Sequence, residues 1–235
     1  MLLAHPFLPS AQIRIIGEAV TMSETIESEV EHLWQMEQLR RGKALFNGRI
    51  VSAIEISPDG IQGRVVEYRH LIAQRARPEL FEVLQVKPVA VSGLFECSDG
   101  IVFGRRAGTM TQDAGLWELV PSGGIDTSKI VGGRVDYRAQ ILTELHEEIG
   151  VGVDDVSSVR PFCLVDDLES HVLDIGIAMA SSLSGGSVLR IHREAATKEY
   201  DEVRVVPLGD VEGFIQGEAS QLVGVSAMLM QEFQK

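Results

Sequence analysis

A chain of 235 residues, 45% of them hydrophobic, can bury one full domain with a smaller appendage, or one enlarged domain. Its formal net charge of −13 and the lack of any Lys or Arg run argue against nucleic acid as a partner, because phosphate-backbone binding needs a basic face. The two cysteines, Cys97 and Cys163, are too few for a disulfide framework, so we expect reduced, packed thiols in a cytoplasmic protein.

The opening stretch MLLAHPFLPSAQIRIIG lacks the basic start of a signal peptide, and Pro6 and Pro9 interrupt its apolar run. No window approaches the roughly 18 consecutive apolar residues that a membrane-spanning helix needs. We therefore expect neither a signal peptide nor a membrane partner.

Residues 23–41 carry apolar side chains at helical spacing, with Ser23 as the N-cap and Gly42 as the end of the helix. Two strand-like stretches follow, ALFNGRIVSAIEI and IQGRVVEY, separated by the turn SPDG. These pieces predict a small N-terminal α+β unit over residues 1–85.

From residue 86 onwards the pattern is richer in strands. VKPVAVSGLFECSDGIVFGRRA places two apolar runs around a tight turn at Ser98, Asp99 and Gly100. GLWELVPSGG is a short strand that ends in glycines. Three further segments are predicted as strands, namely RPFCLVDD, HVLDIGIAMAS and EVRVVPL. The last segment, EASQLVGVSAMLMQEF, is a closing helix. Strands that alternate with a few helices predict a mixed α/β domain over residues 86–235.

Residues 134–149 form the clearest helix of the sequence, and Gly150 ends it. Its apolar stripe consists of Val135, Ala139, Leu142, Leu145 and Ile149. Glu144, Glu147 and Glu148 stand three and four residues apart, so their carboxylates share one face, which we expect to lie opposite the apolar stripe.

Three like charges near a helix C-terminus repel one another, and the helix dipole disfavours them. A divalent cation would turn this repulsion into attraction, and hard Mg2+ or Mn2+ prefers such oxygen ligands. The simpler interpretation is a solvated acidic face without a ligand. Gly123 and Gly124 upstream favour the cation, because glycine backbone can approach a ligand closely.

The stretch over residues 115–151 resembles the box of the Nudix hydrolase family, G-x5-E-x7-R-E-U-x-E-E-x-G-U, in which U is an aliphatic residue. The second half of the box matches at Glu144, Leu145, Glu147, Glu148, Gly150 and Val151. A looser likeness covers about residues 86–234. It implies a Nudix-type α/β/α sandwich with a mixed sheet, to which the N-terminal unit adds a small α+β extension.

The box departs from the family pattern in its first half. Thr143 stands where the family has an Arg that orients one of the glutamates. Gly124 lies farther from Glu144 than the pattern allows, and counting back from the helix puts Val135 at the position of an earlier glutamate. That role is either vacant or filled by Asp126.

The resemblance implies metal-dependent hydrolysis of a nucleoside diphosphate linked to another moiety. Glu144, Glu147 and Glu148 would hold Mg2+ or Mn2+ against the diphosphate. The base that activates water would be Glu147 or Glu148, or else Glu199 or Glu202 from the downstream segment EYDEVRVVPL.

Four more residues are candidates for binding the substrate. Arg105 and Arg106, at the end of the strand FGRR, could contact phosphates, and plain surface arginines are the alternative. Gly123 and Gly124 could bring backbone close to the substrate.

The substrate stays open at this stage. LFNGRIVS, VEYRHLIAQR and VAVSGLF resemble the enzymes that cleave UDP-glucose and other nucleotide sugars, while ADP-ribose, dinucleotide polyphosphates and coenzyme A are further candidates. A Nudix-fold binding or regulatory module with little or no turnover is the alternative that Thr143 favours. An isopentenyl-diphosphate-isomerase-like enzyme is a third, although FECSDG does not match the setting of its cysteine. By analogy with the family, the N-terminal unit could form a homodimer.

Overall fold

The computed structural model describes residues 1–17, 20–41, 45–110 and 112–235. Thirteen strands and seven α-helices are assigned within these ranges. The strands are β1 (Leu2–Pro6), β2 (Gln12–Gly17), β3 (Arg49–Ser57), β4 (Gly60–Glu67), β5 (Val89–Cys97), β6 (Gly100–Arg106), β7 (Trp117–Leu119), β8 (Ser122–Gly124), β9 (Ile130–Val131), β10 (Arg134–Val135), β11 (Val156–Asp167), β12 (Val172–Ser181) and β13 (Tyr200–Val206). The helices are α1 (Glu24–Arg40), α2 (Tyr68–Ala76), α3 (Phe81–Leu84), α4 (Tyr137–Ile149), α5 (Gly185–Ala195), α6 (Val211–Gly217) and α7 (Gly224–Phe233).

The larger sheet is mixed and has the order β1-β11-β12-β5-β6-β13, with β8 added to β5 and β7 added to β6. Only the β12–β5 pair runs parallel in this sheet, and it lies at the centre. Strands β5 and β6 pair only at their turn, Glu96 with Ile101 and Cys97 with Gly100. Beyond the turn they diverge, and the short strands β8 and β7 line the opening between them.

The smaller sheet has the order β3-β4-β2-β10-β9 and contains one parallel pair, β2 with β4. Helices α1, α2 and α3 bury their apolar residues together with β4, around Val30, Val66 and Leu71. Residues of this sheet, such as Ile13 and Val51, belong to the same buried cluster as the α4 residues Ile141 and Leu145. One core therefore extends from the smaller sheet to α4.

The larger sheet is covered by helices on both faces. Helix α4 packs Ile141, Leu145 and Ile149 against one face, and α7 packs Leu229 and Met230 against the other. The predicted fold class, an α/β/α arrangement around a mixed sheet with an N-terminal α+β extension, is confirmed. Among the described residues, no helix is both long and apolar enough to cross a membrane.

Most predicted elements are present, including α1 with Ser23 as its N-cap, whose side-chain oxygen accepts a hydrogen bond from the Ile26 N–H. The predicted helix end at Gly42 lies outside the described residues. The predicted start of the carboxylate helix at residue 134 was wrong. Arg134 and Val135 form β10, because they pair with β9 and β2, and α4 begins only after Asp136.

Strands from each side of the predicted boundary between residues 85 and 86 join the sheet of the other side. Strand β1 joins the larger sheet through β11, and β9 and β10 join the smaller sheet through β2. The division into units 1–85 and 86–235 stays a proposal, with these strands exchanged between the units.

Candidate active site

Both ends of helix α4 are fixed by local interactions. The Asp136 side chain accepts a hydrogen bond from the Ala139 N–H at 2.9 Å, which caps the first turn. Gly150 ends the helix at φ 79°, in the left-handed region that favours glycine. A Cβ on Gly150 would also lie 2.6 Å from Cβ of Ala195, so this glycine lets α5 pack against the end of α4. The last turn, which carries the three glutamates, is therefore held in place.

The three glutamates line one cavity of about 540 Å³. Its wall consists of Thr109, Met110, Ser122, Gly123, Gly124, Glu144, Glu147, Glu148, Thr197, Lys198 and Glu199. The fold thus brings the predicted metal-binding residues together with both predicted glycines and one of the two predicted loop carboxylates. What these residues do there remains a proposal.

The Glu144 carboxylate lies directly against the backbone of Gly123. A Cβ at residue 123 would overlap the carboxyl carbon and both oxygens of Glu144, whereas a Cβ at Gly124 would meet nothing within 4 Å. The Gln140 amide donates to Glu144 Oε1 at 2.6 Å and holds it from the other side. Glycine at position 123 therefore makes room for the carboxylate at the end of β8.

Burial raises the pKa of Glu144 from 4.5 to about 6. The hydrogen bond from Gln140 opposes this rise. The negative charges of Glu147, Glu199 and Asp126 add to it, in that order. The carboxylates around the cavity therefore repel one another, which is the electrostatic condition that a cation would relieve.

Glu148 is almost fully buried, with 5% of its surface exposed. The prediction that its face points away from the apolar residues was wrong, because β8 and β13 cover it. Its carboxylate accepts hydrogen bonds from the Ser122 N–H at 3.1 and 3.3 Å and from the Tyr200 hydroxyl at 2.6 Å. Desolvation raises its pKa well above the usual value, although the hydrogen bond from Tyr200 opposes this.

A chain of buried polar groups continues from Tyr200 towards Arg106. The Tyr200 hydroxyl lies 3.1 Å from Glu118 Oε1, and Arg106 Nη1 lies 2.5 Å from the same oxygen. The second guanidinium nitrogen of Arg106 is 3.4 Å from Glu199. Gly104 makes space for the ring of Tyr200, since a Cβ there would lie 2.5 Å from it.

Arg105 and Glu202, two further predicted site residues, lie elsewhere. Their side chains approach to 3.4 Å, and Glu202 also accepts from Arg204 at 2.6 Å. The Arg105 guanidinium lies 5.8 Å from the ring centre of Trp117, on the face that packs against α6. Because consecutive strand residues point to opposite faces, only Arg106 of the arginine pair is directed towards the carboxylates. The expectation that Arg105 and Glu202 reach the site is corrected accordingly.

The atypical positions of the box have partners of their own. The Thr143 hydroxyl donates to the Ala139 carbonyl and accepts from Lys129 Nζ, each at 2.9 Å. Lys129 thus supplies a cation beside the position where the family has Arg. Val135 is buried in β10 and carries no carboxylate, whereas Asp126 is exposed, accepts a hydrogen bond from the Ser128 N–H at 2.6 Å and adds to the raised pKa of Glu144. The role of Asp126 at the earlier glutamate position stays a proposal.

Whether the site suits a divalent cation can be judged from its donors. Carboxylate oxygens are the ligands that Mg2+ and Mn2+ prefer, and four glutamates line the cavity. Glu147 makes no hydrogen bond or ion pair with any residue that the structure describes. Within the described ranges, however, no three His, Cys, Asp or Glu side chains already stand close enough to share an ion. The donor set fits a cation in chemistry, and its side chains would have to converge to hold one.

Three residues of the region were not predicted: Glu118, Tyr200 and Asp174. Glu118 and Asp174 each interrupt an apolar strand with an acid, in WEL and in HVLDIGIAMAS, and that interruption is a usable signal. Tyr200 carries no such signal, because its partners come from β7 and α4, which are distant in the sequence.

Comparison with known proteins adds a likeness of fold. No family model matches the sequence, and no curated protein matches it. The chain is similar to the crystal structure of DR0079 from Deinococcus radiodurans, with a TM-score of 0.50 and 13% identity over 79% of this chain and 99% of that one. At this identity the likeness shows a shared fold alone.

Two weaker structural likenesses carry Nudix-type names. One is the MutT protein from Methanosarcina mazei Go1, with a TM-score of 0.42 and 17% identity over 63% of this chain and 93% of that one. The other is the NUDIX domain of Shewanella oneidensis NrtR complexed with ADP ribose, with a TM-score of 0.44 and 16% identity over 67% of this chain and 96% of that one.

Proposed function

We propose that this protein is a metal-dependent hydrolase that cleaves the diphosphate of a nucleoside diphosphate linked to another moiety. The observation that carries the proposal is the single cavity in which Glu144, Glu147, Glu148 and Glu199 face the glycines of β8. The match of the α4 glutamates to the second half of a Nudix box supports it.

In this proposal Glu144, Glu147 and Glu148 hold Mg2+ or Mn2+. When bound, the cation would neutralise charge on the diphosphate and lower the pKa of the attacking water, so that hydroxide becomes available at neutral pH. Gly124 leaves the backbone of β8 open to the diphosphate, since a Cβ there would meet nothing within 4 Å, and Gly123 makes room for the Glu144 carboxylate beside it. Arg106 lies next to this cavity, paired with Glu118 and with the cavity residue Glu199, and in this proposal its guanidinium contacts a phosphate.

The base that takes the proton from water is a carboxylate of this cavity. Glu199 and Glu147 are the candidates that remain accessible, whereas Glu148 is buried and already accepts hydrogen bonds from two donors, the Ser122 N–H and the Tyr200 hydroxyl. Glu199 is half-buried, comes from the segment before β13 and faces α4 across the cavity, so it can act on a water from the side opposite the helix.

The second candidate is a binding or regulatory module of the same fold. One observation favours it, namely that Thr143 and Lys129 replace the arginine that orients a glutamate in the family. In this case the cavity would retain a nucleotide without cleaving it.

Product analysis separates the two candidates. The protein is incubated with nucleotide sugars, ADP-ribose, dinucleotide polyphosphates and coenzyme A, with Mg2+, with Mn2+ and with a chelator. Release of nucleoside monophosphate that requires the metal supports the hydrolase and identifies its substrate. Metal-dependent binding of one compound without any product supports the binding module instead.

A further inference from the structure

A second cavity, of about 670 Å³, meets the carboxylate cavity at Ser122, Gly123, Gly124 and Glu199. It extends from these residues across the face of the larger sheet that carries Ala90 and Asp174, towards the start of α7. A substrate whose diphosphate lies at the glycines of β8 would place its next group in this second cavity. This placement rests on the proposed function.

Asp174 is the chemically unusual group in this cavity. It lies on β12 with 8% of its surface exposed, and Ser92 Oγ donates to its Oδ1 at 2.8 Å. Its other oxygen, Oδ2, accepts no hydrogen bond from any residue in the described ranges. Burying the Asp174 carboxylate costs free energy, because protein donors do not replace all the hydrogen bonds that it would make to water. A ligand that donates a hydrogen bond to Oδ2 would offset this free-energy cost.

The position of Asp174 suits the far end of a nucleotide. Ala90 of β5 pairs with Gly124 on one side and with Asp174 on the other. Two strand spacings separate Gly124 from Asp174, roughly 10 Å. The sugar between a base and its diphosphate can bridge such a separation, so a base at Asp174 is compatible with a diphosphate at the glycines.

The surroundings of Asp174 favour a flat heterocycle over a sugar. Several hydroxyls of a sugar would each need polar partners, whereas the side chains that flank Asp174 on this face include the aliphatic Ala90 and Val172, with Asp167 next to Val172 on β11. The start of α7 adds donors, because no described group accepts from the N–H groups of Gly224, Val225 or Ser226, which also line the cavity. Of Asp174, Asp167 and Glu169, the acids at this end of the cavity, only Asp174 is buried, and the N–H groups at the start of α7 add donors.

We propose that Asp174 selects nucleoside diphosphate derivatives whose base carries an exocyclic amino group, that is adenine, guanine or cytosine. Each of these bases presents an amino donor beside a ring or carbonyl acceptor, which complements Asp174 and the N–H groups at the start of α7. Uracil presents a single N–H between two carbonyl oxygens, and one of these would face the carboxylate. Asp174 is thus a specificity-determining residue, and uracil nucleotides are disfavoured.

The test uses four substrates that differ only in the base: ADP-, GDP-, CDP- and UDP-glucose. An unpaired buried acceptor costs about 1–3 kcal/mol, so kcat/KM should favour the best amino-bearing substrate over UDP-glucose by about 5- to 150-fold. Asp174→Asn offers both a donor and an acceptor, and should bring this ratio close to one while raising kcat/KM for UDP-glucose. Asp166→Asn is the matched control, because Asp166 is a buried aspartate one strand away that pairs with Lys87 and does not line the cavity.

A binding measurement separates this inference from the proposed function. AMP, GMP, CMP and UMP are titrated into the wild type, Asp174→Asn and Asp166→Asn proteins by calorimetry without added metal. If the wild type prefers an amino-bearing nucleotide and only Asp174→Asn loses that preference, the inference stands even for a protein that hydrolyses nothing. Equal use of UDP-glucose by the wild type, or an unchanged base preference in Asp174→Asn, would overturn the inference while leaving hydrolysis intact.

Discussion

The contact between Gly123 and Glu144 gives the sharpest prediction about the site. Gly123→Ala would place a methyl group where the Glu144 carboxylate now lies. The carboxylate would have to move by about 1 Å to restore ordinary contact distances of about 3.5 Å. Misplacement of a catalytic group by about 1 Å can cost about 100-fold in rate, equivalent to about 2.7 kcal/mol. We therefore expect kcat/KM for the best substrate to fall about 100-fold.

The affinity for Mn2+, measured by electron paramagnetic resonance without substrate, should fall by about 10- to 100-fold in the same variant, since an orienting contact of a metal ligand is lost. Gly124→Ala is the control for this measurement, because its new methyl group would meet no protein atom within 4 Å. Urea denaturation should show that both variants fold, since the Glu144 carboxylate is the mobile end of a side chain. Equal Mn2+ affinity in the two variants would refute the role of Glu144 as a metal ligand.

Three further predictions concern the buried groups. Tyr200→Phe removes the hydroxyl that lies 2.6 Å from Glu148, and should lower the free energy of unfolding by about 1–3 kcal/mol in urea denaturation. Asp174 has a folded-state pKa of about 6 against an ordinary value of 3.8, so the native state binds more protons between these values and stability is lost as pH rises through them. Between pH 4 and pH 8 the free energy of unfolding of Asp174→Asn should therefore rise by up to about 3 kcal/mol relative to that of the wild type. Parallel profiles of unfolding free energy against pH for the two proteins would contradict this. Gly150→Ala should lower the free energy of unfolding by about 1–3 kcal/mol, because residue 150 has a left-handed backbone conformation and the new Cβ would overlap Ala195. An unchanged midpoint of urea denaturation would contradict this packing.

The sequence was informative where structure is decided locally. Capping by Ser23, the hairpin at Asp99 and the end of α4 at Gly150 follow from residue types and their spacing, and all three were predicted. The position of Glu144, Glu147 and Glu148 on the wall of one cavity also followed from helical periodicity, because residues three and four apart are neighbours.

Long-range pairing explains what could not be predicted. Val135 continues the apolar spacing of α4, yet it pairs with Ile13 of β2, more than a hundred residues earlier in the chain. The burial of Glu148 was not predicted, because Ser122 of β8 and Tyr200 of β13, which cover it, are distant from it in the sequence. Arg105 and Arg106 looked equivalent, and only the pairing of β6 with β7 and β13 decides which of them faces the carboxylates.

The proposed active site depends most directly on Glu148, and one comparison of variants tests it. Glu148→Gln keeps the size of the side chain and an acceptor for Tyr200, and it removes a buried charge, so the fold should be retained. Glu194→Gln, at an exposed position of α5, is the control for the loss of one negative charge. Hydrolysis of the best substrate with saturating Mg2+ should fall at least about 100-fold in Glu148→Gln and stay unchanged in Glu194→Gln. Wild-type turnover in Glu148→Gln would contradict the proposed active site.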